Sequence, residues 1–456
     1  MSNTAKFVEG SLMRHIIVMS STSAVGLVSI FLVDLLDMWF ISLLGDSRLV
    51  AAIGFATTLT FFATSISIGT SIAAGALVSK CLGSKDRELA KEYATNALII
   101  ASIVSVLCVI ITLLSMDTLL GLLGAKGYVA QVAKTYLIIV MPASVLLAVG
   151  LGASAALRAT GDAKGSMMST LSGGAVNAVL DPILIFSLGL GVTGAATASV
   201  FARFAVFSYA ISRAHFKHRL LARPSVASFK LCRRPILNIA LPAMITNMAT
   251  PFSNAYVTSA IAAYGNSYVA GYAVIGRLVP VCFGFLFSLS GAIGPILGQN
   301  FGAGMWDRLE RALKDSLVII VIFSFTMSVV LWLGQEPIIG LFRLDSQAAD
   351  IVRLFCTFLA ITFIFNGMLF VSNASFNNLG SPRLATALNV GKATIGTVPF
   401  VILGSKYWGA GGVLIGQAAG SILFGVLAYW VAGKKITQLR NRHTGKTQRI
   451  KKGSIR

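Results

Sequence analysis

A chain of 456 residues that is 56% hydrophobic and only 12% charged, with a mean hydropathy of +0.82, is excluded from the soluble globular class. The net charge of +21 and pI of about 10.1 would suit a nucleic-acid binder, but Lys and Arg are spread over many short loops rather than gathered on one face, so no nucleic-acid partner is expected. Four histidines (His15, His215, His218, His443) near the ends of apolar runs and five scattered cysteines offer no metal, nucleophile or disulfide pattern, and an enzyme is not expected.

Apolar runs of about 20 residues or more recur from end to end and predict twelve spanning helices. The first six cover residues 16–44, 49–79, 94–122, 128–156, 166–189 and 193–215. The second six cover 236–264, 268–298, 310–334, 347–377, 384–404 and 409–433. The first run is too long for a signal core and lacks a small-residue cleavage site, so it is expected to stay as a helix. Helix 1 carries Asp34 and Asp37 in IFLVDLLDMWFISLLG, and helix 5 carries Asp181 in GGAVNAVLDPILIFSLG. A charge at bilayer depth costs several kcal/mol unless protonated, paired or wet, so these acids are the first functional candidates. Pro182 frees the carbonyl of Ala178 and bends the axis beside Asp181. Asn177 and Asp181, four residues apart, share one helix face, and Asp34 and Asp37 nearly do. Lys392 in helix 11 is a candidate cavity charge, with snorkelling to headgroups as the alternative, and Arg203 and Arg277 read as snorkelling or paired.

Basic residues cluster at the amino end, in every second loop and in the tail from Lys434, so both termini are expected in the cytoplasm by the positive-inside rule. The tail itself reads as a solvated, disordered segment that fixes orientation.

An internal repeat with an offset of about 220 residues organises the chain. LLGDSRLVAAIG after helix 1 is echoed by AYGNSYVAGYAVIG after helix 7, Asp86-Arg87 falls over Asp307-Arg308, and Gly161 falls over Gly380. The expected architecture is an all-α membrane protein with twelve transmembrane helices in two pseudo-symmetric six-helix lobes. The lobes are residues 1–215 and 236–433, joined by a basic cytoplasmic linker at 216–235 and followed by a basic cytoplasmic tail at 434–456.

The two lobes, the glycine-marked turns after helices 1 and 7, the LRATGD turn and the NAVLDP segment together resemble the multidrug and toxic compound extrusion (MATE) family, most closely its DinF and archaeal branch. The resemblance covers essentially the whole chain. It implies a proton-carrying Asp in helix 1, which falls on Asp37, and a partnering Asn-x-x-x-Asp, which falls on Asn177 and Asp181. Ser199 stands where the family commonly has Thr, and Thr193 and Thr197 complete the supporting polar pocket. The family's early helix-1 proline is missing, which leaves Gly26 as the weak point for a hinge, with Pro182 the kink in helix 5. Asp34 reads equally as a packing polar residue and as a third member of the proton site.

The expected function is therefore a proton-coupled antiporter of the inner (cytoplasmic) cell membrane, monomeric and surrounded by lipid, that exports lipophilic, mostly cationic compounds by alternating access. No organic cofactor or metal is expected beyond the coupling ion, H+, with Na+ at Asp37, Asn177 and Asp181 as the alternative. A lipid-linked oligosaccharide flippase of the same superfamily is the second reading, and a channel the third.

Overall fold

The computed structural model describes the backbone of residues 5–453; the side chains of Asp34, Leu35, Ser42, Ser47 and 445–453 lie outside the described residues. Helices and short connections make up all of it, with no strand among the described residues. The helices form two compact units, Ser21–Met248 and Met1–Ser20 with Ala249–Arg456.

The amino-terminal unit holds most of α1 (Leu12–Ser42), then α2 (Ser47–Gly83), α3 (Arg87–Leu114), the short α4 (Met116–Leu122), α5 (Gly127–Val140), α6 (Ser144–Ala159), α7 (Ala163–Pro182), α8 (Gly191–Ser212) and the beginning of α9 (Val226–Ala262). Helices α5 and α6 form one span bent by 50°, at a break that contains Pro142. One core cluster joins α1, α2, α5 and α8 through Ile41, Leu59, Leu137, Met141 and Ala196. A second joins α2 and α3 to α9 through Ala73, Ala97, Cys232 and Ile236. That second core accounts for a difference from the sequence reading, which put residues 216–235 in a loop: α9 begins at Val226 because Phe229, Cys232 and Ile236 give this basic stretch an apolar face.

The carboxyl-terminal unit continues α9 and adds α10 (Asn266–Cys282), α11 (Gly284–Gly302), α12 (Trp306–Leu341), α13 (Ser346–Leu354), α14 (Phe363–Asn378), α15 (Pro382–Ala393) and α16 (Val398–Gly453). Its first residues are held by side chains that sequence patterning did not single out. The Phe7 N–H donates to Gln299 Oε1 at 2.8 Å, and the Phe7 carbonyl accepts from Asn300 at 3.1 Å and Arg308 at 2.9 Å. The tail, expected to be disordered, continues α16 as helix: Arg440 pairs with Asp307 at 3.0 Å and Glu310 at 3.4 Å, which ties it to the start of α12.

Among the described residues, eight helices are long and apolar enough to cross a membrane, and ten spans result when the two bent pairs, α5 with α6 and α10 with α11, each count as one. The other two of the twelve come from α9, whose prolines and asparagines dilute its apolarity, and from the break in α16 at Trp408 and Gly409. The repeat is also visible in the backbone. Gly45 and Gly265, matched across the two halves, both adopt positive φ (77° and 119°), as do Gly161 and Gly380 (84° and 74°). These left-handed turns are where a side chain would be strained, which is why glycine stands at the same place twice.

In the carboxyl-terminal unit, the segments before and after the α16 break touch backbone to backbone. A Cβ on Gly420 would overlap the carbonyl oxygen of Gly396, and one on Gly412 would overlap that of Gly404. Helices approach this closely in a membrane only across small residues. Gly420→Ala should therefore destabilise by about 3 kcal/mol through overpacking and lower the thermal unfolding midpoint of the detergent-purified protein. Gly340→Ala, where a Cβ meets nothing within 4 Å, is the control and should leave the midpoint in place. Equal midpoints for the two variants would remove the close-packing account.

Candidate functional site

Asp37 sits in the last turns of α1, and Asn177 and Asp181 sit one turn apart on α7. The four-residue spacing points the last two the same way, and the fold brings α1 to them. Asn177 Nδ2 donates to Asp37 Oδ1 at 2.9 Å and to Asp181 Oδ2 at 2.7 Å, so one amide uses both of its protons to bridge two carboxyls. Asn177 is 6% exposed and Asp181 fully buried, while Asp37 is half-buried. Asp181 Oδ1 has no hydrogen-bond partner among the described residues.

Two carboxylates held against the same amide repel one another when both are ionised, and a proton on either relieves that repulsion. The arrangement can therefore hold one proton shared by two acids, with the amide of Asn177 fixing both in place. Below the pair, α7 ends at Pro182 and the chain makes a π turn over Ile183–Ser187. Pro182 has no N–H to donate to the Ala178 carbonyl, so the regular ladder breaks at the level of Asp181 and the chain continues in the wider turn.

The remaining candidates lie in several environments. Ser199 on α8 is 3.4 Å from the Tyr136 hydroxyl. Thr193 and Thr197 donate to carbonyls of their own helix segment, those of Leu190 and Thr193, each at 2.7 Å. Gly26 lies in an unbroken stretch of α1 and faces Thr170 of α7, 3.5 Å from where its Cβ would be. The side chain of Asp34 lies outside the described residues. Lys392 belongs to the carboxyl-terminal unit, where it donates to Asn366 Oδ1. Arg203 donates to the Val140 carbonyl at 2.8 Å and to Ser144 Oγ at 2.7 Å.

Sequence reasoning missed Tyr136. It is 7% exposed on α5 and close enough to Asp37, Asp181 and Arg203 to interact electrostatically with all three. The available signal was that a tyrosine inside an apolar run must find a partner for its hydroxyl, yet nothing in KTYLIIV says that the partner lies on α8.

The MatE family model matches this chain twice, over residues 23–183 and 242–403, once in each half. Among curated relatives, a FAD transporter of Shewanella oneidensis is 28% identical over 92% of this chain and 94% of its own length. The multidrug export protein MepA of Staphylococcus haemolyticus is 27% identical over 96% of both chains. Among solved structures, the bent form of the Vibrio cholerae MATE transporter VcmN superposes with a TM-score of 0.88 at 22% identity, over 94% of this chain and 98% of that one. A MOP superfamily transporter from Pyrococcus furiosus superposes with a TM-score of 0.89 at 20% identity, over 96% and 99% of the two chains.

Proposed function

This chain belongs to the MatE family, and on that premise we propose that it is a proton-coupled antiporter that exports lipophilic, mostly cationic compounds by alternating access of its two lobes. The observation that carries the proposal is the chain Asp37–Asn177–Asp181, in which one amide donates to two carboxyls, and this supports a pair that holds a single proton. Protonation favours one shape of the amino-terminal lobe and release of cargo; deprotonation leaves a negative pocket that accepts a cation or its hydrogen-bond donors. Coupling is then a difference in affinity for proton and cargo between two states. The charge asymmetry of the loops supports insertion in the inner membrane with both termini in the cytoplasm, and the chain works as a monomer.

The wild-type protein in proteoliposomes tests the reading, with ethidium accumulation followed after a pH step or a sodium step imposed separately. Accumulation against the ethidium gradient under the pH step is the expected result. Accumulation driven by sodium alone would move the coupling ion from proton to sodium at the same residues. Dissipation without accumulation under either step would make the protein a channel. A second reading of the cargo has support in the Shewanella relative, a FAD transporter: FAD loaded in the same vesicles, and transported in preference to ethidium, would replace lipophilic cations as the cargo class.

A further inference from the structure

Among the described residues of the carboxyl-terminal unit, Lys392 is a charged group at membrane depth whose surroundings are unlike those of a buried ion pair. Lys392 lies in the last turn of α15, inside an apolar span, and is half-buried. Among the described residues its ammonium makes a single side-chain hydrogen bond, to Asn366 Oδ1 on α14, and no carboxylate lies within ion-pair distance. An ammonium only donates, so Asn366 must present its oxygen to Lys392 and turn its NH2 away. That NH2 meets no acceptor among the described residues. Two protons of the ammonium and two of the amide are therefore left without an acceptor among the described residues.

The surrounding backbone holds the lysine in this position. One turn back on the same face, Asn389 donates to Asn373 Oδ1 at 2.8 Å, which locks α15 against α14. On the other side α15 ends, and residues 394–397 form a turn before α16 begins. Thr397 Oγ1 donates to the Lys392 carbonyl at 2.8 Å and is itself 3.1 Å from Ser253 Oγ. A helix broken at membrane depth beside a charged side chain is tolerated where it is buried in protein or lines a solvated cavity. A cation left there without a counter-charge is costly, and a bound anion relieves that cost.

We propose that Lys392 and Asn366 form a binding site for an oxyanion, the carboxylate or phosphate of an amphiphile, within the carboxyl-terminal unit. The site gives the transporter a handle on zwitterionic and anionic compounds that the acids of the other unit would reject, and it does not depend on which ion drives transport. The oxyanion comes either from cargo or from a lipid headgroup, and both present the same oxygens to the same donors.

A matched pair of probes isolates this chemistry: rhodamine B, which has a free carboxylate, and its ethyl ester, which does not. Binding of each is measured by fluorescence polarisation to the full-length protein in phosphatidylcholine nanodiscs. For Lys392→Met, rhodamine B affinity should fall on the order of 10-fold or more, the loss of hydrogen bonds to a charged group, while affinity for the ester stays within about twofold and shows that the variant is folded. Lys392→Arg keeps the positive donors and should retain most of the discrimination. Repeating the wild-type measurement with phosphatidylglycerol in the disc separates the sources: weakened rhodamine B binding means that a lipid headgroup also occupies the site, and unchanged binding assigns it to cargo. Equal losses for both probes, or no loss for either, would overturn the proposal. Asp37→Asn should leave the difference between acid and ester intact, so a failure of proton coupling and a failure of this site give different results.

Discussion

Asp37→Asn is expected to reduce pH-driven ethidium transport on the order of 100-fold, the upper end of a coupling free energy of about 3 kcal/mol, while leaving the protein folded. The substitution keeps the volume of the side chain and an oxygen that can accept from Asn177, whose amide lies 2.9 Å from Asp37 Oδ1. It removes the ability to gain and lose a proton. Asp181→Asn should behave in the same way, since it too keeps an oxygen that can accept from Asn177 and removes an ionisable group. Asp181→Ala should differ, because it leaves one of the two Asn177 N–H groups without an acceptor in a buried position and adds a stability loss of about 2 kcal/mol. Full pH-driven transport by Asp37→Asn would end the role given to this acid. Loss of transport together with loss of the folded protein would instead assign the pair to structure.

The second large effect concerns Asp162, in the LRATGD turn. It caps α7 by accepting from the Gly165 N–H at 2.9 Å, and its carboxylate also takes Arg213 at 2.8 Å and His218 at 2.7 Å. Arg87 donates to the His218 carbonyl at 2.8 Å, so a single acid ties the segment after α8 to the start of α7 and, through His218, to α3. Burial pulls the Asp162 carboxyl upward, but the hydrogen bonds from His218, Arg213 and Gly165 together outweigh it and hold the group well below the usual carboxylate range. A carboxyl depressed in the folded state contributes stability above its unfolded value of about 3.9 and loses it as pH falls through the folded value. Asp162→Ala should cost about 2–3 kcal/mol at neutral pH, from the lost cap and the lost charged hydrogen bonds, a drop of roughly 5 °C or more in the unfolding midpoint. Asp162→Asn keeps a good cap and should lose less. The gap between wild type and either variant should close as pH falls below about 4 in scanning fluorimetry. A gap that persists unchanged into that range would show that the charge contributes nothing.

How much could be read from residues alone differs between the two units. In the amino-terminal unit, the cost of an acid at bilayer depth marked Asp34, Asp37 and Asp181, the four-residue spacing set Asn177 beside Asp181, and the family resemblance picked Asp37 as their partner; Asp37, Asn177 and Asp181 are joined by hydrogen bonds. Tyr136 was not legible, because its role depends on α5 lying beside α8 and on a hydroxyl finding Ser199 across that contact. Lys392 was legible as a charge but not as a site. Its meaning rests on Asn366, which lies 26 residues away and carries no mark in the sequence.

Composition, apolar run length and the internal repeat determined the class, the number of spans and the doubled design, because those follow from transfer free energy and chain periodicity, which are local and additive along the chain. The tertiary structure alone decided which helix ends pack in which unit, how the amino-terminal residues are held by Asn300 and Arg308, and which polar atoms complete each site. Those outcomes depend on hydrogen bonds and backbone approaches between residues far apart in sequence, and a side chain chosen by its partner across 140 positions, as Asn177 is by Asp37, leaves no periodic trace of that choice in its own helix.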